Sequence, residues 1–173
     1  NFFDFFLRPL KKHYAFYKSA RFIKYMPSSS VKKSLLRRGP IEKSRDKKSL
    51  IEKAVEALEK GGLVIYPTDT VYGLGADATN PEAVEKVYKA KRRSEEKPLP
   101  IMFSDFEMVE EYLDVPKSLT DFMKRFRGSY TFVIEKREKK RLYNGSDDEI
   151  GIRIANRKTV KELVSEFGKP ITA

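Results

Sequence analysis

The chain has no cysteine and one histidine among its 173 residues. Without thiols it holds neither a disulfide framework nor a thiolate metal site. The one imidazole, His13, lies among aromatic residues near the start. No Ser-His-Asp triad and no histidine-based zinc site can be built from the residues after it. No uninterrupted apolar run approaches the roughly 18–20 residues that a helix needs to span a bilayer. A G-x-x-x-x-G-K-[ST] phosphate loop is missing, and Gly73-Leu74-Gly75 lacks the third glycine of a dinucleotide fingerprint. The chemistry left open rests on Lys, Arg, Thr, Asp and main-chain amides, acting by positioning and electrostatics.

Acidic residues are scarce in one region only. The net charge is +11, and residues 1–48 carry 14 of the 36 basic and 3 of the 25 acidic side chains. The remaining 125 residues therefore balance to zero. The sequence divides into a basic, aromatic leader (1–48) and a neutral body (49–173). In the leader, Phe16, Ala20 and Ile23 fall at i, i+4 and i+7, the spacing of an amphipathic helix. "PSSSVKKSLLRRGP" then reads as a linker. Three readings of the leader stay open: a solvated tail that attracts RNA, an organellar targeting segment, or the end of an upstream domain. The first residue is Asn rather than Met, which fits a piece of a longer product.

In the body, helical and strand patterns alternate. Ser49 and Glu52 have capping-box spacing, Leu50, Ala54 and Leu58 make one apolar face, and Gly61-Gly62 ends the helix. "LVIY" reads as a strand buried on both faces. Asn80 caps the next helix, with Pro81 in its first turn. "LPIMF", "YTFVIEK", "IGIRI" and the final "PITA" read as strands, and "RLYNGSDD" as a turn. Ser104 with Glu107, then Pro116, then Asn156 are expected to open three further helices, the last ending at Gly168. This alternation predicts an α/β domain with ligands at strand ends and loops.

Four motifs stand out. "PTDTVYGLG" (67–75) sets two hydroxyls, a carboxylate and a phenol on a chain bent by glycines, which lets main chain approach a ligand; a plain tight turn is the alternative. "KAKRRSEEKPL" places Lys91, Arg93 and Lys97 at a helix end, where cations suit either the helix dipole or a phosphate. "RGSYTFVI" puts Thr131 after a glycine turn. "GIRIAN" buries Arg153 in an apolar strand, where it needs an acidic partner or a ligand.

These motifs, in this order, resemble the YrdC-domain family, whose best-known activity is L-threonylcarbamoyl-AMP synthase. The resemblance covers about residues 49–173, and its first motif is nearly diagnostic. The family's P-G-P is Arg127-Gly128-Ser129 here, Ala155 stands in place of a proline, and Met102 stands where some members have His. The family's following Ser-x-Asn lies beyond "PITA", so the body is expected to be incomplete at its C-terminus. The final strand is then expected to enter the sheet unpaired and uncovered, leaving this chain by itself a weak synthase.

The resemblance implies a twisted mixed or parallel sheet with flanking helices around a positive cavity. It implies that L-threonine, bicarbonate and ATP become threonylcarbamoyl-AMP and pyrophosphate, and that a separate tRNA threonylcarbamoyl transferase uses the product. Thr70 and Tyr72 would hold L-threonine. Lys91 and Arg93 would be catalytic and, with Lys97, Thr131 and Arg153, would bind ATP. Mg²⁺ would arrive with ATP, held by phosphates rather than by a protein metal site. The expected compartment is the cytoplasm, with organellar targeting by the leader as the alternative. A competing reading is a non-catalytic, double-stranded RNA-binding module of the same fold, with tRNA contact through the leader. Another is a carbamoyl-transfer domain within a larger maturation protein.

Overall fold

A computed structural model describes residues 24–26, 47–68, 72–126 and 130–173. The proposed amphipathic helix around Phe16–Ile23, the linker, Thr70 and the Arg127-Gly128-Ser129 turn lie outside these residues.

The apolar run at 63–67 organises the body. Strand β2 (Leu63–Pro67) lies between β1 (Lys24–Met26) and β3 (Tyr72–Gly75), antiparallel to both. Alternate residues of β2 point to opposite faces, as a strand requires. Val64 and Tyr66 join the larger core cluster, while Leu63 and the partly buried Ile65 join a second one. Helices cover both faces, so the run contains no polar alternation. Helix α1 (Lys47–Glu59) packs Ile51, Ala54 and Leu58 into the larger cluster, and α2 (Pro81–Lys91) packs Ala83, Val84 and Val87 into the other. Gly61, at φ +65°, closes α1 in the left-handed conformation.

A second set of strands has the order β5 (Phe132–Glu135), β6 (Glu149–Ile154), β4 (Ile101–Phe103), β7 (Ile171–Thr172). Strands β4 and β6 are parallel, and the other neighbours are antiparallel. Helices α3 (Phe106–Tyr112), α4 (Lys117–Met123) and α5 (Lys158–Phe167) complete the body. The result is the mixed α/β architecture that the alternation of elements predicts. Among the described residues no helix is long and apolar enough to cross a membrane.

The final strand differs from expectation. It is neither unpaired nor uncovered: Ile171 and Thr172 have 0% exposure, and β7 pairs with β4. On its other side it takes hold of the segment after β3. Thr172 N donates to Ala76 O (2.9 Å), Ala78 N donates to Pro170 O (3.1 Å), and Ala76 N donates to Thr172 Oγ1 (3.1 Å). Strand β7 thus joins the two sheets. Three helix starts also differ. Helix α1 includes Ser49, which therefore does not cap it. Asp105, not Ser104, caps α3 by accepting from Met108 N (2.9 Å), since a carboxylate suits both the free amide and the helix dipole. Arg157 occupies the cap of α5, without a side-chain hydrogen bond, and Asn156 precedes it.

Candidate functional site

The glycine motif turns out to be a hairpin. Tyr66 pairs with Gly73 and Pro67 with Tyr72. A Cβ on Gly73 would lie 2.6 Å from Tyr66 Cζ, and one on Gly75 would lie 2.8 Å from Tyr66 Cε1. The space these glycines leave is filled by the Tyr66 ring rather than kept for a ligand. Tyr66 Oη donates to Thr172 O (3.1 Å), and burial raises its phenol well above the usual value. The motif's glycines therefore serve the sheet.

Helix α2 delivers the cations. Arg92 ends it in the left-handed conformation, φ 48°, a geometry that costs a side chain on the order of 1–2 kcal/mol. The chain turns there, and Arg93 leaves the helix axis. Lys91 Nζ is partly buried and donates to Ala173 O (3.1 Å). Burial lowers its ammonium to about 8, and the nearby charges of Arg93 and Arg153 push in the same direction. Lys91, Arg93 and Arg153 are thus within electrostatic reach of one another, although Arg153 comes from β6, sixty residues later.

Arg153 stands beside Met102 of β4 and is half-buried. Among the described residues it has no acidic partner within ion-pair distance. A cavity of about 20 Å³ is lined by Arg153, Thr68, Met102, Asn156 and Arg157, among others. A larger one of about 170 Å³ is lined by Phe106, Phe126, Tyr130 and Phe132, and it shares Ile154, Ala155 and Asn156 with the first. The rings of Phe126 and Tyr130 meet edge to face at 5.4 Å. The aromatic cavity therefore adjoins the smaller one, which Arg153 and Arg157 line.

The remaining expected residues are less gathered. Tyr72 opens β3, half-buried. Lys97 is exposed on the loop after α2, and its main-chain oxygen, rather than its ammonium, is what the structure engages. Thr131 precedes β5, at the position that the Phe132–Ile152 pairing sets beside Arg153. Its methyl would lie 3.2 Å from a Cβ on Gly151. Thr68, Asn156 and the aromatic lining were not singled out from the sequence as site residues. The available signals were the first hydroxyl of P-T-D-T, the Asn directly after G-I-R-I-A, and aromatics on both sides of R-G-S.

Comparison with known proteins gives concordant findings. The Sua5/YciO/YrdC family model, described as "Telomere recombination", matches residues 56–173. A threonylcarbamoyl-AMP synthase from Vibrio vulnificus is 32% identical over 130 residues, which cover 72% of this chain and 70% of the relative. Among solved structures, Pyrococcus abyssi Sua5 complexed with L-threonine aligns with TM-score 0.67 and 32% identity, over 79% of this chain and 39% of that one. Escherichia coli YciO aligns with TM-score 0.64 and 26% identity, over 75% of this chain and 64% of that one. The chain thus spans less than two thirds of either solved structure.

Proposed function

The chain belongs to the Sua5/YciO/YrdC family, and on that premise we propose that it is an L-threonylcarbamoyladenylate synthase domain acting in tRNA threonylcarbamoyladenosine modification. L-threonine, bicarbonate and ATP would yield threonylcarbamoyl-AMP, pyrophosphate and water. In that product a carboxyl group is joined to the α-phosphorus. The threonine amine must therefore first take up the carbon of bicarbonate. An oxygen of the resulting carbamate then attacks the α-phosphorus, and the bond to the β-phosphate oxygen breaks with its electron pair going to pyrophosphate.

The observation that carries this reading is that Arg93 and Arg153, from separate elements, both act electrostatically on the partly buried Lys91. Cations gathered from two elements are matched to a polyanion, and they would stabilise the charge that grows on the departing pyrophosphate. The aromatic cavity beside Asn156 offers a flat apolar seat to the purine ring. Thr70 and Tyr72 would hold L-threonine. Thr131 and Lys97 would extend the nucleotide contacts. Among the described residues no three acidic or imidazole side chains gather as a metal cage, and the three cations would repel a divalent ion. Mg²⁺ would therefore travel on the phosphates of ATP and neutralise part of their charge.

The test is threonine-dependent release of pyrophosphate by the protein at its natural length. Arg153→Ala is expected to lower turnover about 100-fold, as for loss of a positioned charge in a desolvated site, while the fold is retained. Wild-type protein that releases no pyrophosphate with threonine, or an Arg153→Ala variant as active as wild type, would refute the assignment.

A further inference from the structure

The loop after α2 carries Arg93 and Lys97, and residues 92–98 are all exposed. Arg93 is nonetheless held in place. Its Nε donates to Lys97 O (2.8 Å) and its second guanidinium nitrogen to Pro98 O (3.1 Å). The side chain of Arg93 is therefore aimed by the main chain of its own loop, and its direction depends on whatever fixes that loop.

The fixing point lies on a distant turn. Tyr88, in the last turn of α2, donates its single phenolic proton to Asn144 O (2.7 Å), with Lys97 O 3.3 Å away. Asn144 O also accepts from Leu99 N (2.7 Å), so one carbonyl holds both ends of the loop. Burial raises the Tyr88 phenol, which keeps its proton available for donation. The turn is itself anchored. Asn144 is fully buried, and its Nδ2 donates to Glu149 O (2.9 Å). Lys136 Nζ donates to Leu142 O and Ser146 O, both at 2.8 Å, on either side of it. Gly145 sits at φ +83°, and a Cβ there would fall 2.0 Å from Tyr88 Oη. The turn has room for the phenol only because residue 145 has no side chain.

We propose that Tyr88 and the Asn144-Gly145 turn form a positioning unit for Arg93, fixing at Leu99 the end of the loop whose Lys97 and Pro98 carbonyls aim its guanidinium. Tyr88 touches no substrate in this scheme and acts through Arg93. The consequence for ATP rests on the synthase reading, while the geometry does not.

Two measurements on the full 173-residue chain test it. In ligand-free protein, solvent exchange of the Arg93 Nε proton, followed by NMR, is expected to be about 3- to 10-fold faster in Tyr88→Phe, the range one lost hydrogen bond allows. Gly145→Ala, which displaces the phenol without removing it, is expected to do the same. In a double-mutant cycle, Tyr88→Phe should weaken ATP binding by a similar factor with Arg93 present and leave it unchanged in an Arg93→Ala background. Unchanged exchange of the Arg93 proton overturns the proposal, and so does an equal loss of ATP affinity in both backgrounds. A wild-type chain that binds no ATP sinks the synthase reading instead, and the Arg93 proton then decides the positioning role by itself.

Discussion

Lys91 is the residue where stability and function oppose each other most directly. Its ammonium is lowered to about 8 by burial and by like charges. Since the folded value lies below the ordinary 10.5, the folded chain holds fewer protons than the unfolded one between about pH 8 and 10.5. Stability from this group therefore rises with pH across that window, and the penalty is complete below about 8. Lys91→Met is expected to stabilise the ligand-free chain by about 1 kcal/mol, a rise of roughly 4 °C in Tm, while weakening ATP binding at least tenfold. Thermal denaturation with and without ATP checks both halves. ATP affinity of the wild type should also fall as pH rises from 7 to 9, because the charge that attracts phosphate is lost through about 8. Lys91→Arg, which keeps its charge over that range, should flatten this profile. At Gly73 the expected result is simpler. A Cβ 2.6 Å from the Tyr66 ring forces a shift in a filled core, so Gly73→Ala should cost on the order of 1–3 kcal/mol, read as a lowered midpoint in urea.

Among the elements, β7 carries the greatest consequence for its length. Two residues join two sheets, and the Thr172 hydroxyl accepts from Ala76 N at 3.1 Å while lying 3.4 Å from Leu74 O. Thr172→Val keeps the shape but removes this acceptor and leaves a buried amide unsatisfied, at a cost of about 1–3 kcal/mol. Hydrogen exchange should report faster opening at the Ala76 amide than in the centre of α5; equal protection in mutant and wild type would show that the sheets are joined elsewhere. The same strand places Ala173 O against Lys91 Nζ, so loosening β7 should also raise the Lys91 pKa as its burial is relieved.

For the whole molecule, the charge division and the leader strand make separate predictions. All of the net +11 lies in residues 1–48, so long-range, salt-sensitive attraction to RNA should come from there. Removing residues 1–46 should abolish most of it, as measured by RNA affinity against salt. Yet residues 24–26 pair with the outer side of β2, from Lys24 opposite Ile65 to Met26 opposite Leu63. The same deletion therefore bares a strand edge, and an unpaired edge invites association. Removing residues 1–22 alone should lower the charge without this effect. Light scattering of the two truncations separates the contributions: association in both, or in neither, would show that β1 does not guard the edge.

The sequence alone was sufficient for whatever depends on local patterning. The 3.6-residue spacing of Leu50, Ala54 and Leu58, the Asn80-Pro81 helix start, the apolar run of β2 and the left-handed Gly168 end of α5 all follow from short-range rules, and the mixed α/β class follows from their order. Lys91, Arg93 and Arg153 stood out as candidates for the proposed site, because cations beside apolar strands need a reason. The capping residues at α1, α3 and α5 were less so, since neighbouring polar residues compete for the same amides and only the final backbone path selects one. Gly73 and Gly75 pointed to a ligand when read locally; their partner, Tyr66, became visible only once the hairpin register was set. The tertiary structure alone decided that Arg153 on β6 comes within electrostatic reach of Lys91 at the end of α2. It also decided that "PITA" is a buried joint rather than an open edge, and that the carbonyl of Asn144 accepts from both Tyr88 and Leu99, on either side of the Arg93 loop. Each of these depends on which strand lies beside which, and strand pairing is fixed by the burial of whole faces at once, which no window of neighbouring residues contains.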